Sequence, residues 1–157
     1  MLNRSMYLIL IFVIAILGLA VIRIGKNAAS AYKEAEIVIG DNKFYLDIAD
    51  TINKRQRGLG GRDSLSENGG MLFLFDGYSK RRIWMRGMEI PIDIVWVRDG
   101  RVVGFNKNVQ PQPGVATIKL DVYTSPESVD KILELRAGSV DKYGINNNDS
   151  VKINFKE

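Results

Sequence analysis

Trp84-Met85-Arg86-Gly87-Met88-Glu89-Ile90-Pro91-Ile92-Asp93-Ile94-Val95-Trp96-Val97 is the stretch on which the reading of this chain turns. Alternation from Arg82 to Arg86 puts Arg82, Trp84 and Arg86 on one strand face, with Ile83 and Met85 on the other. From Ile92 to Arg98 both faces are apolar, Ile92, Ile94 and Trp96 against Val95 and Val97, so this strand is central in its sheet. Asp99-Gly100 then predicts a two-residue hairpin turn into a further strand, Arg101–Asn106.

Outward from that hairpin the pattern stays β. Glu36–Ile39 and Phe44–Ile48 read as strands around the turn Gly40-Asp41-Asn42, and Met71–Phe75 as a short core strand. Ala116–Tyr123, Lys131–Leu135 and Ser150–Phe155 complete the strands, the last with Val151, Ile153 and Phe155 inward. Asp50 or Thr51 caps a short helix over Ile52–Arg57, and Ser139–Tyr143 is a helical turn ended by Gly144. Asn108–Gly114, with two of the four prolines, reads as a loop. Many short strands separated by turn signals predict a mainly β fold, one compact sandwich or barrel with small helical insertions.

An N-terminal segment precedes this domain. Met6–Ile22 is apolar throughout except Gly18, and its 17 residues span roughly 25 Å as a helix, a little short of the ~30 Å of a bilayer core. Arg4 and Arg23 flank it at snorkelling positions. The expected organisation is a membrane anchor over residues 1–26, a stalk over 27–34 and the β domain over 35–157, with residues 6–22 in the lipid bilayer. Ala29-Ser30-Ala31 leaves a cleaved signal segment as the alternative, although the apolar run is long for one. Counting Lys and Arg around the run favours a cytoplasmic domain.

The totals exclude several chemistries. The 157 residues contain no Cys and no His, which removes disulfides, thiolate nucleophiles, Ser-His-Asp triads and ordinary zinc sites. No cofactor or metal site is expected. The net charge of +4 sits mostly in the first 34 residues, at +3, leaving +1 for the rest, so bulk charge gives no case for nucleic acid.

Three features carry candidate chemistry. Trp84 between Arg82 and Arg86 is either a platform for a planar or anionic ligand or a solvated strand face. Asp93, on a strand apolar on both faces, either pairs with Arg82 or Arg86, bonds the amides of Gly87 and Met88, or acts as an acid/base or ligand group. Two basic clusters, Lys54, Arg55, Arg57 and Arg62, then Lys80, Arg81, Arg82 and Arg86, form an anion site if they converge and a solvated surface if not. The expected ligand-binding set is Arg62, Trp84, Arg86 and Asp93. Catalytic candidates are confined to the carboxylates Asp93 and Glu134, which would serve a hydrolase if brought together across a cleft. Asn146-Asn147-Asn148-Asp149 lacks the spacing of a calcium loop and reads as a turn.

The chain resembles domain-of-unknown-function family 192 over roughly Phe44 to Phe155. The resemblance lies in Ala49-Asp50-Thr51, Arg57-Gly58-Leu59 with Gly61-Arg62, Gly70-Met71-Leu72-Phe73 with Phe75, and Trp84-Met85-Arg86. It continues in Ile90-Pro91-Ile92-Asp93-Ile94, Gly100-Arg101-Val102-Val103, Asn108-Val109, Leu133-Glu134-Leu135 with Ala137-Gly138, and Gly144-Ile145 with Asp149 and Val151. Gly87-Met88 departs from the small polar pair usual in the family, and Asn148 stands where Gly is usual. The resemblance implies a compact, mostly β domain, often exported behind a signal or membrane segment, with no established activity or cofactor. That habit of export weighs against the charge count and places the domain outside the cytoplasmic membrane. The expected function is a membrane-tethered module binding an envelope glycan, an anionic ligand or a protein; the alternative is a carboxylate-dependent hydrolase of envelope polymers.

Overall fold

The structure, a computed structural model, describes residues 32–156. The apolar run at 6–22, and with it the membrane anchor, lies outside the described residues. Among the described residues no helix is long and apolar enough to cross a membrane.

The elements follow in the order β1 (Glu34–Ile39), β2 (Asn42–Ala49), α1 (Ile52–Arg57), β3 (Gly69–Trp84), β4 (Ile92–Arg98), β5 (Arg101–Val109), β6 (Val122–Arg136), α2 (Ser139–Lys142) and β7 (Val151–Phe155). The strands make one seven-stranded sheet, ordered β5-β4-β6-β3-β2-β1-β7. Every pair is antiparallel except β2 with β3, whose crossover carries α1. The fold is therefore a single sheet rather than the two stacked sheets of a sandwich. Its outermost strands meet at one end: Arg101 bridges Ser150, and Val151 N–H donates to Gly100 O at 2.8 Å. The sheet thus curls on itself.

Period-two alternation sorts the side chains between two cores. The inner core holds Ile37 and Ile39 of β1, Phe44 and Leu46 of β2, and Val95 and Val97 of β4 with Leu133 and Leu135 of β6. The outer core, on the opposite face of β3, β6 and β4, holds Met71, Phe73, Ile94, Trp96 and Ile132, covered by Leu59, Met85 and Met88. Strand β4 is buried on both faces, as its sequence requires. Its hairpin turn also forms as expected, with φ of 49° at Asp99 and 69° at Gly100.

Several elements differ from expectation. Met71–Phe75 and the strand expected from Arg82 are not separate: both belong to the 16-residue β3, which ends at Trp84 and pairs along its length with the 15-residue β6. The turn-like Asp76-Gly77 lies inside an irregularity of that ladder, between Leu74 and Ser79. Ser125 patches the next one: its hydroxyl accepts from Arg81 N–H at 2.9 Å and donates to Glu127 O at 2.6 Å. Residues 116–121 form a loop with one tight turn at Thr117–Lys119, and β6 begins only at Val122. Phe155 is exposed rather than inward, because β7 is an outermost strand. Tyr32, Lys33 and Glu34, read as stalk, belong to the folded unit: Glu34 opens β1, and Lys33 O accepts from Ile48 N–H at 2.8 Å.

Asp93 is fully buried on the inner side of β4. Its carboxylate accepts from Asn108 N–H at 2.7 Å and Val140 N–H at 2.8 Å, fastening the end of β5 and the start of α2 to the central strand. Backbone amides satisfy it, but those of β5 and α2 rather than of the loop residues Gly87 and Met88, and neither Arg82 nor Arg86 pairs with it. Because Asp93→Ala orphans two amides, it should cost about 3 kcal/mol in urea unfolding, while Asp93→Asn, which keeps one acceptor oxygen, should cost less. Equal midpoints for wild type and Asp93→Ala would remove Asp93 from this structural role.

Candidate functional site

The outer core is not completely roofed. Helix α1 starts at Thr51, whose hydroxyl accepts from Lys54 N–H at 3.3 Å, and ends at Gly58, φ 52°, a value that favours glycine. The chain then passes over the sheet through Leu59, and Gly61 N–H donates to Gly87 O at 2.9 Å, tying the helix exit to the turn after β3. Arg55 lashes the helix down by donating to Asp50 O and Leu74 O, each at 2.8 Å. Between α1, the end of β3 and the Met85–Met88 turn there remains a cleft of about 230 Å³.

Its walls are apolar: Leu59, Phe73, Phe75, Ile83 and Met88 line it, together with Trp84, which is 46% exposed. Arg55 and Arg57 from α1 meet Arg82 and Arg86 from β3 and the turn after it around the same cleft. The two basic clusters of the sequence therefore converge, though only in part. Lys54 pairs with Asp50 at 2.9 Å, Lys80 donates to Pro126 O at 2.7 Å, and Arg81 stacks on Phe75 at 3.9 Å. Among the described residues, Arg57, Arg82 and Arg86 enter no ion pair.

Glu134 also lines the cleft. It stands on β6 opposite Met71 of β3 and Ile94 of β4, 5% exposed, with Oε2 buried and without a hydrogen-bond partner among the described residues. Burial pushes its carboxyl from the ordinary 4.5 up to about 8, against the opposing charge of Arg62.

Of the expected ligand-binding set, Trp84 and Arg86 share the cleft and the other two do not. Arg62 pairs with Asp47 at 2.6 Å and lies over the Tyr32 ring at 5.8 Å. Asp93 lies on the opposite face of the sheet from Glu134: it pairs in register with Leu135, whereas its neighbour Ile94 pairs with Glu134. The two carboxylates therefore cannot flank one scissile bond, and the paired-carboxylate reading falls. The apolar walls Phe73, Phe75, Ile83 and Met88 give no signal as site residues, because each reads as ordinary core in the sequence. Among the described residues no group of three or more acidic side chains is placed to hold a metal ion.

The raised pKa of Glu134 makes a prediction with a definite sign. Below its ordinary 4.5 both folded and unfolded states hold the proton, and the contribution is fully present. Between 4.5 and about 8 the unfolded chain releases the proton while the folded one keeps it. Stability therefore falls as pH rises, at up to about 1.4 kcal/mol per pH unit. With no His in the chain, no other side chain of ordinary pKa titrates between about pH 5 and 8. Urea midpoints should drop across that range, and Glu134→Gln should flatten the profile; parallel profiles for the two proteins would contradict the assignment.

Comparison with known proteins agrees with this architecture. No curated protein matches the sequence. Two solved structures do: a candidate transcription regulator from Sinorhizobium meliloti 1021, 24% identical with a TM-score of 0.68, and a protein of unknown function from Novosphingobium aromaticivorans DSM 12444, 23% identical with a TM-score of 0.66. They cover 78% and 79% of this chain, and each is itself covered over 94% of its length, so a chain made of little besides this domain folds. At such identities the likeness is one of fold. The model of an uncharacterised family, DUF192, "Uncharacterized ACR", matches residues 35–153, and the chain belongs to domain-of-unknown-function family 192.

Proposed function

We propose that this protein is a membrane-tethered binding module whose cleft receives an amphiphilic anion, outside the cytoplasmic membrane. One observation carries the reading of the site: Arg55, Arg57, Arg82 and Arg86 gather around an apolar cleft that Trp84 also lines. Apolar walls stabilise a hydrocarbon or ring by about 25 cal/mol per Å² removed from water. Guanidiniums without carboxylate partners take a carboxylate, sulfonate or phosphate through forked, charge-assisted hydrogen bonds. Such walls suit an amphiphile better than a bare acidic glycan, which brings little apolar surface to bury. The hydrolase alternative lacks its second carboxylate, since among the described residues Glu134 is the one acidic side chain lining the cleft.

The tether rests on the apolar run at 6–22 and its flanking arginines. The extracytoplasmic side rests on the resemblance to a family often found behind export segments. Expressed full-length in a bacterium, the protein should stay with membranes after alkaline carbonate extraction. Protease added outside the cytoplasmic membrane should then digest the β domain, and survival of the domain there would reverse the orientation.

The cleft is tested with 1-anilinonaphthalene-8-sulfonate, an apolar ring system carrying one anion, on residues 32–157. Arg82→Ala with Arg86→Ala should weaken binding roughly tenfold, which is ~1.4 kcal/mol, and reduce its salt dependence. Trp84→Ala should weaken it comparably. All three side chains are exposed, so circular dichroism and the unfolding midpoint should be unchanged. Undiminished binding by both variants would dispose of the reading.

A further inference from the structure

We infer that Glu134 is the polar contact for the buried end of the ligand, its carboxyl donating a hydrogen bond to an uncharged carbonyl oxygen. The inference rests on the amphiphile reading of the same cleft and adds the chemistry expected at its floor.

Four observations bear on it. Glu134 occupies a position where apolar neighbours surround it: Met71 and Ile94 sit beside it on the adjacent strands, and Phe73 packs in the same core. A leucine or methionine there would continue that core without cost. A buried carboxyl with an unpartnered oxygen costs about 1–3 kcal/mol, so packing alone does not account for it. Its Oε2 is buried without a partner among the described residues, while the residue as a whole keeps 5% of its surface exposed and lines the cleft. The helix exit also approaches it: a Cβ at Gly58 would stand at ordinary contact distance, 3.9 Å from Oε2 and 3.5 Å from Phe73 Cζ.

The charge around the carboxyl decides which ligand atom it meets. Among the described residues, every other charged side chain lining the cleft is an arginine, Arg55 and Arg57 on α1 with Arg82 and Arg86 across from them, and Arg62 is nearby in the following loop. That ring repels an ammonium group and attracts an anion to the mouth. At the floor the carboxyl is held neutral by burial. A neutral carboxyl offers one O–H donor, which an ester, amide or ketone oxygen accepts without bringing a charge into the apolar space. From mouth to floor the expected ligand is thus an anion, a short hydrocarbon segment and a carbonyl.

Three water-soluble probes of matched length separate the alternatives on residues 32–157, followed by nitrogen-15 NMR titration with the Trp84 indole signal as reporter. They are octanoate, 7-oxooctanoate, which adds a ketone near the far end, and 8-aminooctanoate, which ends in an ammonium. The wild-type domain should bind 7-oxooctanoate roughly tenfold more tightly than octanoate, the worth of one buried hydrogen bond. Glu134→Gln, whose amide still donates, should keep the preference, and Glu134→Leu should lose it while binding octanoate at least as well. Should Glu134→Leu fail to fold, the Gln variant and the wild-type ratio still decide the matter. Equal binding of octanoate and 7-oxooctanoate overturns the role of Glu134 and leaves the amphiphile cleft standing. Preference for 8-aminooctanoate overturns it in favour of an ionised carboxylate. Failure of all three to bind overturns the amphiphile reading and this inference with it.

Discussion

Strand β4, the start of β3 and the end of β6 bury both of their faces, and most of this structure answers to that constraint. On the inner side the need is met by curling the sheet until its outermost strands touch between Arg101 and Ser150. On the outer side there is no second sheet among the described residues. Cover comes instead from a six-residue helix, its glycine-rich exit and the turn at Met85–Met88, held to each other by the bond from Gly61 to Gly87. A cover assembled from such short pieces does not fill the space above a 16-residue strand. The cleft is where the roof stops. On the inner side the strands pack closely as well: a Cβ at Gly70 would lie 2.0 Å from Glu134 O and 3.1 Å from Leu46 Cδ2, so only glycine fits between β3 and its neighbours.

What was legible in the sequence follows the same division. β4 could be read directly, since apolar residues on both faces admit few positions other than a central strand, and Asp99-Gly100 fixed the hairpin that follows. Long strands were harder. Asp76-Gly77 carries the chemistry of a turn, yet the chain passes through it as an irregularity of one long strand, held by pairs to β6 on either side at Leu74 and Ser79. Asp93 could be recognised as a buried carboxylate needing partners, but its donors, Asn108 and Val140, are 15 and 47 residues away and no local pattern names them. Glu134 is the most instructive case. Alternation with Leu133 and Leu135 correctly sends it to the other face of β6, and that face would ordinarily be solvent. Burial there depends on α1 and the loop around Leu59, which come from another part of the chain.

The arginines divide by what their partners leave them. Arg55 is bound to two carbonyl oxygens, Arg62 to Asp47, and Arg81 to the face of Phe75, where burial and then the charge of Arg55 lower its pKa. These three hold α1, the loop after it and the bulged part of β3 in place. Arg57, Arg82 and Arg86 are exposed and enter no ion pair among the described residues. Individually an exposed guanidinium contributes little, about 0–1 kcal/mol in a surface pair. Several sharing one cleft with an apolar wall act differently, because an anion seated there is partly removed from water and meets more than one donor.

A carboxyl beneath an arginine-rimmed cleft runs against the purpose of the arginines if it ionises, because a charged Glu134 would draw their field inward. Burial resolves the conflict. Apolar neighbours on β3 and β4 withhold the solvation an anion requires, and Arg62, already paired with Asp47, offers too little charge to restore it. The carboxyl therefore stays neutral near pH 7, and the positive field at the mouth is not cancelled from below. The same feature that lowers stability as pH rises thus keeps the polarity of the cleft directed from cationic rim to neutral floor. A leucine at 134 would give a more stable sheet and leave the field intact, but would remove the hydrogen-bonding side chain at the cleft floor. Stability and charge account for the proton on Glu134; they do not account for the glutamate, and a bound oxygen does.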